Sequence, residues 1–127
     1  YFSKALRYNP RLSEAHSYLG FLKAGQGKLD EAVKHLTQAL VIDPKMTAAR
    51  RNLGHVLNQQ GDVDGAMMLF RQVLELDPND AMAHNNLGVA LLQQGEVEEA
   101  IIHFSKALSI DPSYRTAQEN LDRVQSK

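Results

Sequence analysis

A spacing of 34 residues governs this chain: Asp43-Pro44, Asp77-Pro78 and Asp111-Pro112 stand at that interval, and every landmark between two prolines returns at the same phase. Leu19-Gly20, Leu53-Gly54 and Leu87-Gly88 form one series, Gly27, Gly61 and Gly95 a second, and Ala32, Ala66 and Ala100 a third. Leu36, Phe70 and Phe104 follow four residues after those alanines, and Ala39, Val73 and Ala107 three later again. Chance does not produce five series in register, and a fixed period of this size marks stacked helical hairpins. Such an array is a scaffold whose partner is chosen by a few surface residues, so the period speaks to fold before it speaks to function.

Each residue class has a mechanical reason for its place. Gly20, Gly54 and Gly88 fall in mid-helix, where glycine costs roughly 1 kcal/mol against alanine, so their recurrence predicts the close approach of another backbone. Ala32, Ala66 and Ala100 are the expected counterparts on the second helix, with Leu36, Phe70 and Phe104 filling the space beside them. Gly27, Gly61 and Gly95 are placed to close first helices in a left-handed conformation. The Asp-Pro pairs stop the second helices, because proline disfavours helical geometry in the residue before it and cannot continue the ladder.

The pattern predicts a helix at about 1–8, helix pairs near 13–26 and 29–42, 47–60 and 63–76, 81–94 and 97–110, and a last helix near 114–125. Val97, Ala100, Ile101, Phe104, Ala107 and Leu108 recur at three and four residues along one face, as an amphipathic helix requires. No stretch alternates like a strand.

These residues resemble the tetratricopeptide repeat family, whose pattern has a Leu-Gly in the first helix, a small residue and an aromatic in the second, and a closing proline. The resemblance covers nearly the whole chain. It implies an all-α fold, a right-handed solenoid of antiparallel helix pairs, with complete repeats at 13–46, 47–80 and 81–114. Residues 1–12 resemble the second helix of a truncated repeat, with Phe2, Ala5 and Pro10 in phase, and 115–127 a capping helix. Mild departures are His16, Arg50 and His84, where the family often has tryptophan, and Lys23, where Leu57 and Leu91 supply the usual large residue.

The chain opens at Tyr1 inside a repeat, which predicts a piece excised from a longer protein. Its N-terminal helix would lack a partner, leaving Phe2, Ala5 and Leu6 as an uncovered apolar edge and a candidate contact for a homo-oligomer. Asp122 stands where the earlier repeats have the mid-helix glycine, and Glu119, Arg123, Gln125 and Lys127 make the last segment polar, as a solubilising cap is.

With 127 residues, 43% hydrophobic content and a net charge of -1, the chain can bury a continuous core but carries no excess charge to attract polyanions. Nucleic acid is therefore not an expected partner. No run of apolar residues reaches membrane-spanning length, and the absence of cysteine excludes disulfides and thiolate chemistry while leaving the compartment open.

Catalysis is not expected either. Of the five histidines, His16 and His84, like His35 and His103, are two full repeats apart. Hairpins two steps apart place equivalent residues roughly 20 Å from one another, too far to share a metal bound at about 2 Å. These histidines, with His55, are expected on the surface or in packing, with no metal and no cofactor. Asp30 and Glu31, and Glu96, Glu98 and Glu99, sit at helix N-termini, where negative charge offsets the helix dipole. Gly25-Gln26-Gly27 follows no strand and precedes no Gly-Lys-Ser/Thr, so it is no phosphate loop.

The family resemblance implies a concave groove lined by the first helices. That face would present Glu14, Ser17, Tyr18 and Phe21, then Arg51, Asn52, His55 and Gln59, then Met82, Asn85, Asn86, Val89 and Gln93, then Glu119, Asn120 and Arg123. Asn52, Asn86 and Asn120 stand one period apart and would form a ladder. Carboxamides both donate and accept, which suits the backbone of an extended peptide. The alternative is that they hold neighbouring helices together or are solvated. The ladder resembles those of the arrays of O-linked N-acetylglucosamine transferases and kinesin light chains. Tyr18 replaces asparagine in the first repeat and, with Phe21, offers an aromatic pocket for an apolar side chain.

A second family mode grips the C-terminal carboxylate of a chaperone with lysines, an arginine and asparagines. The matching places hold Ser17, Phe21, Met82 and Asn86, and only Asn52 fits, so a chaperone-tail clamp is rejected for lack of cations. Arg51, His55 and Arg123 leave room for a mildly acidic ligand. A non-catalytic protein-interaction module holding an extended or helical peptide is the expected function. A self-assembly segment and the substrate-recruiting region of a larger enzyme, such as a glycosyltransferase, are the alternatives.

Overall fold

Glycine and aspartate-proline punctuation divides the residues that the computed structural model describes, 10–126, into seven α-helices. These are α1 (Pro10–Gly25), α2 (Leu29–Ile42), α3 (Thr47–Gln59), α4 (Val63–Leu76), α5 (Ala81–Gln93), α6 (Val97–Ile110) and α7 (Arg115–Gln125). They pack as three hairpins, α1 with α2, α3 with α4 and α5 with α6, and α7 lies on α6. No strand occurs among the described residues. The helix expected at 1–8, and the apolar edge of Phe2, Ala5 and Leu6, lie outside the described residues.

One boundary moves. The first helix was expected from residue 13 and reaches back to Pro10, because proline has no N–H to lose in a first turn and its fixed φ already suits a helix.

The first helices end as the glycines dictate. Gly27, Gly61 and Gly95 take φ of 80°, 93° and 82°. The turn then lets Lys28 N donate to Lys23 O, Asp62 N to Leu57 O and Glu96 N to Leu91 O, each at 2.9 Å. Carbonyls that the helix end would orphan are satisfied. The second helices stop at Asp43, Asp77 and Asp111 in extended geometry. Each aspartate Oδ1 accepts from the backbone N–H two residues on, that of Lys45, Asn79 or Ser113, so the residue before proline also builds the turn.

The core runs as a seam inside and between hairpins. Ala32, Leu36 and Ala39, then Ala66, Phe70 and Val73, then Ala100, Phe104 and Ala107 are fully buried. The atoms nearest the mid-helix glycines belong to side chains of the second helix. A methyl built on Gly54 would stand 2.6 Å from Phe70 Cε1, and one on Gly88 2.6 Å from Phe104 Cε1. At Gly20 Leu36 Cγ is nearest, at 2.5 Å, with the backbone atom Ala32 O at 3.2 Å. The glycines therefore clear space first for the large side chain of the second helix, with its backbone also close at Gly20.

Successive first helices, α1, α3, α5 and α7, touch one another, whereas successive second helices barely meet. The closer spacing makes the first-helix wall the inner, concave one. Bonds across hairpins hold the stack: Gln60 Nε2 donates to Asp30 Oδ1 and Gln94 Nε2 to Asp64 Oδ1, both at 2.9 Å, and Arg51 Nη1 donates to Asp80 Oδ2 at 2.7 Å.

Candidate functional site

On the inner wall the short residues between the bulky ones open three adjoining clefts. A cleft of about 420 Å³ lies between α1 and α3, bordered by Phe21, Leu22, Asn52, His55, Val56 and Gln59 among others. A second, of about 340 Å³, adds Glu14, Ser17 and Tyr18 and shares Phe21 and Asn52 with the first. A third, of about 280 Å³, lies across α3, α5 and α7, where His55, Asn58, Asn85, Asn86, Val89 and Asn120 meet over Phe70. Through these shared residues the clefts join into one trough.

Of the residues expected in a groove, Tyr18, Phe21, Asn52, His55, Gln59, Asn85, Asn86, Val89 and Asn120 border this trough. Tyr18 and Phe21 are 63% and 58% exposed, large apolar surfaces with no cover on this wall. Arg51, Gln93, Glu119 and Arg123 border none of the three clefts. Arg51 is turned to Asp80 in an ion pair whose members are mostly shielded from solvent, so it offers little charge to a ligand. No lysine or arginine lines the trough.

The three asparagines of the ladder differ. Asn120 is buried, and its Nδ2 donates to Asn85 Oδ1 at 3.0 Å. Asn85 is itself buried, beside the half-buried Tyr114, whose hydroxyl pKa is raised first by burial and lowered in part by that amide. The pair joins α5 to α7. Asn52 and Asn86 are half-buried and open on the clefts.

Asn58, Val56 and Thr116 were missed by sequence reasoning. Asn58 left a signal: the same phase holds Ala24 and Leu92 in the other hairpins, and an amide stands where they are apolar. Its Oδ1 is buried without a hydrogen-bond partner.

The histidines pair within hairpins, His16 with His35 (Nδ1 to Nδ1 3.3 Å) and His84 with His103 (3.0 Å). His84 Nε2 lies 3.0 Å from Pro78 O. A carbonyl only accepts, so Nε2 carries the proton and His103 Nδ1–H donates to the bare Nδ1 of His84. Burial first, then His84, pushes the His103 pKa down to about 4, and burial first, then His35, lowers that of His16. Arg50 takes the His84 position in the middle hairpin and donates likewise to the carbonyl of Pro44. His84 and Arg50 thus brace the loops that precede their helices. No group of three or more histidine, aspartate or glutamate side chains among the described residues is placed to hold a metal. No helix among them is long and apolar enough to cross a membrane.

Family models match three stretches: one described as TPR repeat matches residues 54–95, and two described as tetratricopeptide repeat match 23–67 and 81–114. No curated protein matches the chain in sequence. Solved structures do. The first TPR of Spaghetti (RPAP3) bound to an HSP90 peptide superposes with a TM-score of 0.88 at 19% identity, over 94% of this chain and 95% of that one. A mutant O-GlcNAc transferase from Thermobaculum terrenum gives 0.86 at 27% identity over 90% of this chain, which spans 22% of the transferase. YrrB, described as a TPR protein with an unusual peptide-binding site, gives 0.78 at 28% identity over 85% of this chain and 56% of its own.

Proposed function

The chain belongs to the tetratricopeptide repeat family, and on that premise we propose that it is a non-catalytic module that binds an extended peptide along the trough of its first helices, with units at 13–46, 47–80 and 81–114. One observation carries this: Asn52 and Asn86, one period apart, present half-buried amides to joined clefts and make no side-chain hydrogen bond within the described chain. An amide held in a cleft without a partner gains most from a ligand that both donates and accepts, as a peptide backbone does. The peptide-binding site of YrrB supports the choice of ligand class.

The HSP90 peptide of the RPAP3 structure does not carry over. At 19% identity the likeness extends to the fold, and a trough without lysine or arginine lacks the charge-assisted bonds that a terminal carboxylate needs. A second function, recruitment of substrates to a larger glycosyltransferase, is favoured by the 27% identity to the Thermobaculum terrenum enzyme. It uses the same trough and differs only in what flanks it.

The test is to pan a random dodecapeptide library against the chain and titrate the enriched peptides by calorimetry. Asn52→Ala combined with Asn86→Ala is expected to leave helicity and melting nearly unchanged and to weaken binding by roughly 1 to 3 kcal/mol. Equal affinity for the double variant would exclude the two amides as ligand contacts.

A further inference from the structure

The cleft across α3, α5 and α7 differs in chemistry from the one between α1 and α3. The latter has apolar walls from Phe21, Leu22 and Val56. The former is ringed by carboxamides, a hydroxyl and the imidazole of His55, with Asn58, Asn86 and Thr116 around a floor of Phe70 and Val89. Lysine, arginine, aspartate and glutamate are all missing from its lining. Asn120 Nδ2 donates to Asn85 Oδ1, and Asn120 Oδ1 accepts from Arg123 Nη1. Asn58 does not share in that network, and its Oδ1 is buried unpaired, a destabilising condition. A turn about its last side-chain bond would present that acceptor to whatever fills the cleft. Resting on the peptide-binding function above, we propose that this cleft is a socket for the primary amide of an asparagine or glutamine side chain of the bound peptide. Such a group donates to Asn58 Oδ1 and accepts from Asn86 Nδ2 without bringing a charge into an uncharged cavity, where an ion would lose its hydration unpaired.

The same groove then reads two positions. Phe21 and Val56 take an apolar side chain, and the amide socket lies one hairpin step further along. Neighbouring helices pack about 8–10 Å apart, and an extended peptide advances about 3.3 Å per residue. The amide is therefore expected roughly three residues from the apolar anchor.

The dodecapeptides enriched on the wild-type chain decide this by their sequences. Enrichment of asparagine or glutamine at one fixed distance from an apolar residue is the expected result. Replacing that amide by alanine in a chosen binder should weaken it roughly three- to tenfold on the wild-type chain and not at all on Asn58→Ala. Asn86→Asp serves as a second variant that does not depend on truncation: the added carboxylate should shift the preference at that position to lysine or arginine. Binders with an apolar residue but no amide preference would overturn the socket and leave peptide binding standing. A library that yields no binder would overturn both.

Discussion

At the scale of single residues, the same amino acid does different work according to what it meets. Gly54 sits under Phe70, whose ring is fully buried and has no free direction in which to retreat. Gly54→Ala gains up to ~1 kcal/mol of helix propensity but forces the ring out of place, at a cost of about 1–3 kcal/mol. Net destabilisation in urea unfolding is expected, larger still for Gly54→Leu. Gly25, at the end of α1, would meet nothing within 4 Å and has no left-handed backbone. Gly25→Ala is expected to be neutral or to stabilise by about 0.4–1 kcal/mol. If both variants shift the midpoint alike, the glycine-under-ring packing is wrong.

His103 gives the residue scale its pH dependence. It is held neutral in the fold, with a pKa of about 4 against an ordinary 6.5. Between those values the unfolded chain binds the extra proton, so stability is complete above about pH 6.5 and falls as the pH drops toward 4. One proton corresponds to about 1.4 kcal/mol per pH unit. Glu99 Oε2, 3.8 Å from Nε2, opposes the shift, while His84, Lys106 and Arg71 reinforce it. His103→Gln is expected to flatten the fall between those pH values, and an unchanged slope would place the proton uptake elsewhere.

At the scale of helices, the starts are less uniform than the ends. The positions 28, 62 and 96 are in phase, yet only Asp62 caps its helix, accepting from Gly65 N at 2.9 Å. The α2 and α6 helices instead carry two acidic residues in the first turn, Asp30 with Glu31 and Glu98 with Glu99, where they offset the dipole. Asp62→Ala should therefore cost about 1 kcal/mol in urea unfolding, while Lys28→Ala should cost little. What was legible in the sequence was what recurs: helix ends, prolines and the alanine and aromatic series are local or periodic and so appear in one dimension. The Arg51–Asp80 bond joins residues of different phases, and the Gln60–Asp30 bond, though it returns one period on as Gln94–Asp64, pairs two positions that no series in the sequence sets side by side. The His84–His103 pair was invisible because comparison by phase sets His84 beside His16, whereas the hairpin sets it beside His103. Asn120 looked like its ladder mates because phase does not record that Asn85 stands opposite it.

For the molecule as a whole, stability in a stack is the sum of hairpins and the interfaces between them, and the trough is shaped at those interfaces. Asp80 serves two of these purposes: its Oδ1 caps α5 at Ala83 N and its Oδ2 receives Arg51 from the preceding hairpin. Asp80→Asn keeps a capping oxygen and removes the charge, whereas Asp80→Ala removes both and leaves Arg51, with only 17% of its side chain exposed, without a partner. The expected cost is about 1–2 kcal/mol for the first and about 2–4 kcal/mol for the second, between surface and buried pairs. Arg51→Met should cost less than Asp80→Ala, since the cap survives and the methionine can cover the same apolar ground. A double-mutant cycle between Arg51→Met and Asp80→Asn should return a coupling of about 0.5–3 kcal/mol. Because the pair ties the wall of one hairpin to the start of the next, its loss should also lower hydrogen-exchange protection in α3 and α5 together. A cycle that closes at zero would mean that apolar packing alone carries the register between hairpins, and that the trough's curvature owes nothing to this ion pair.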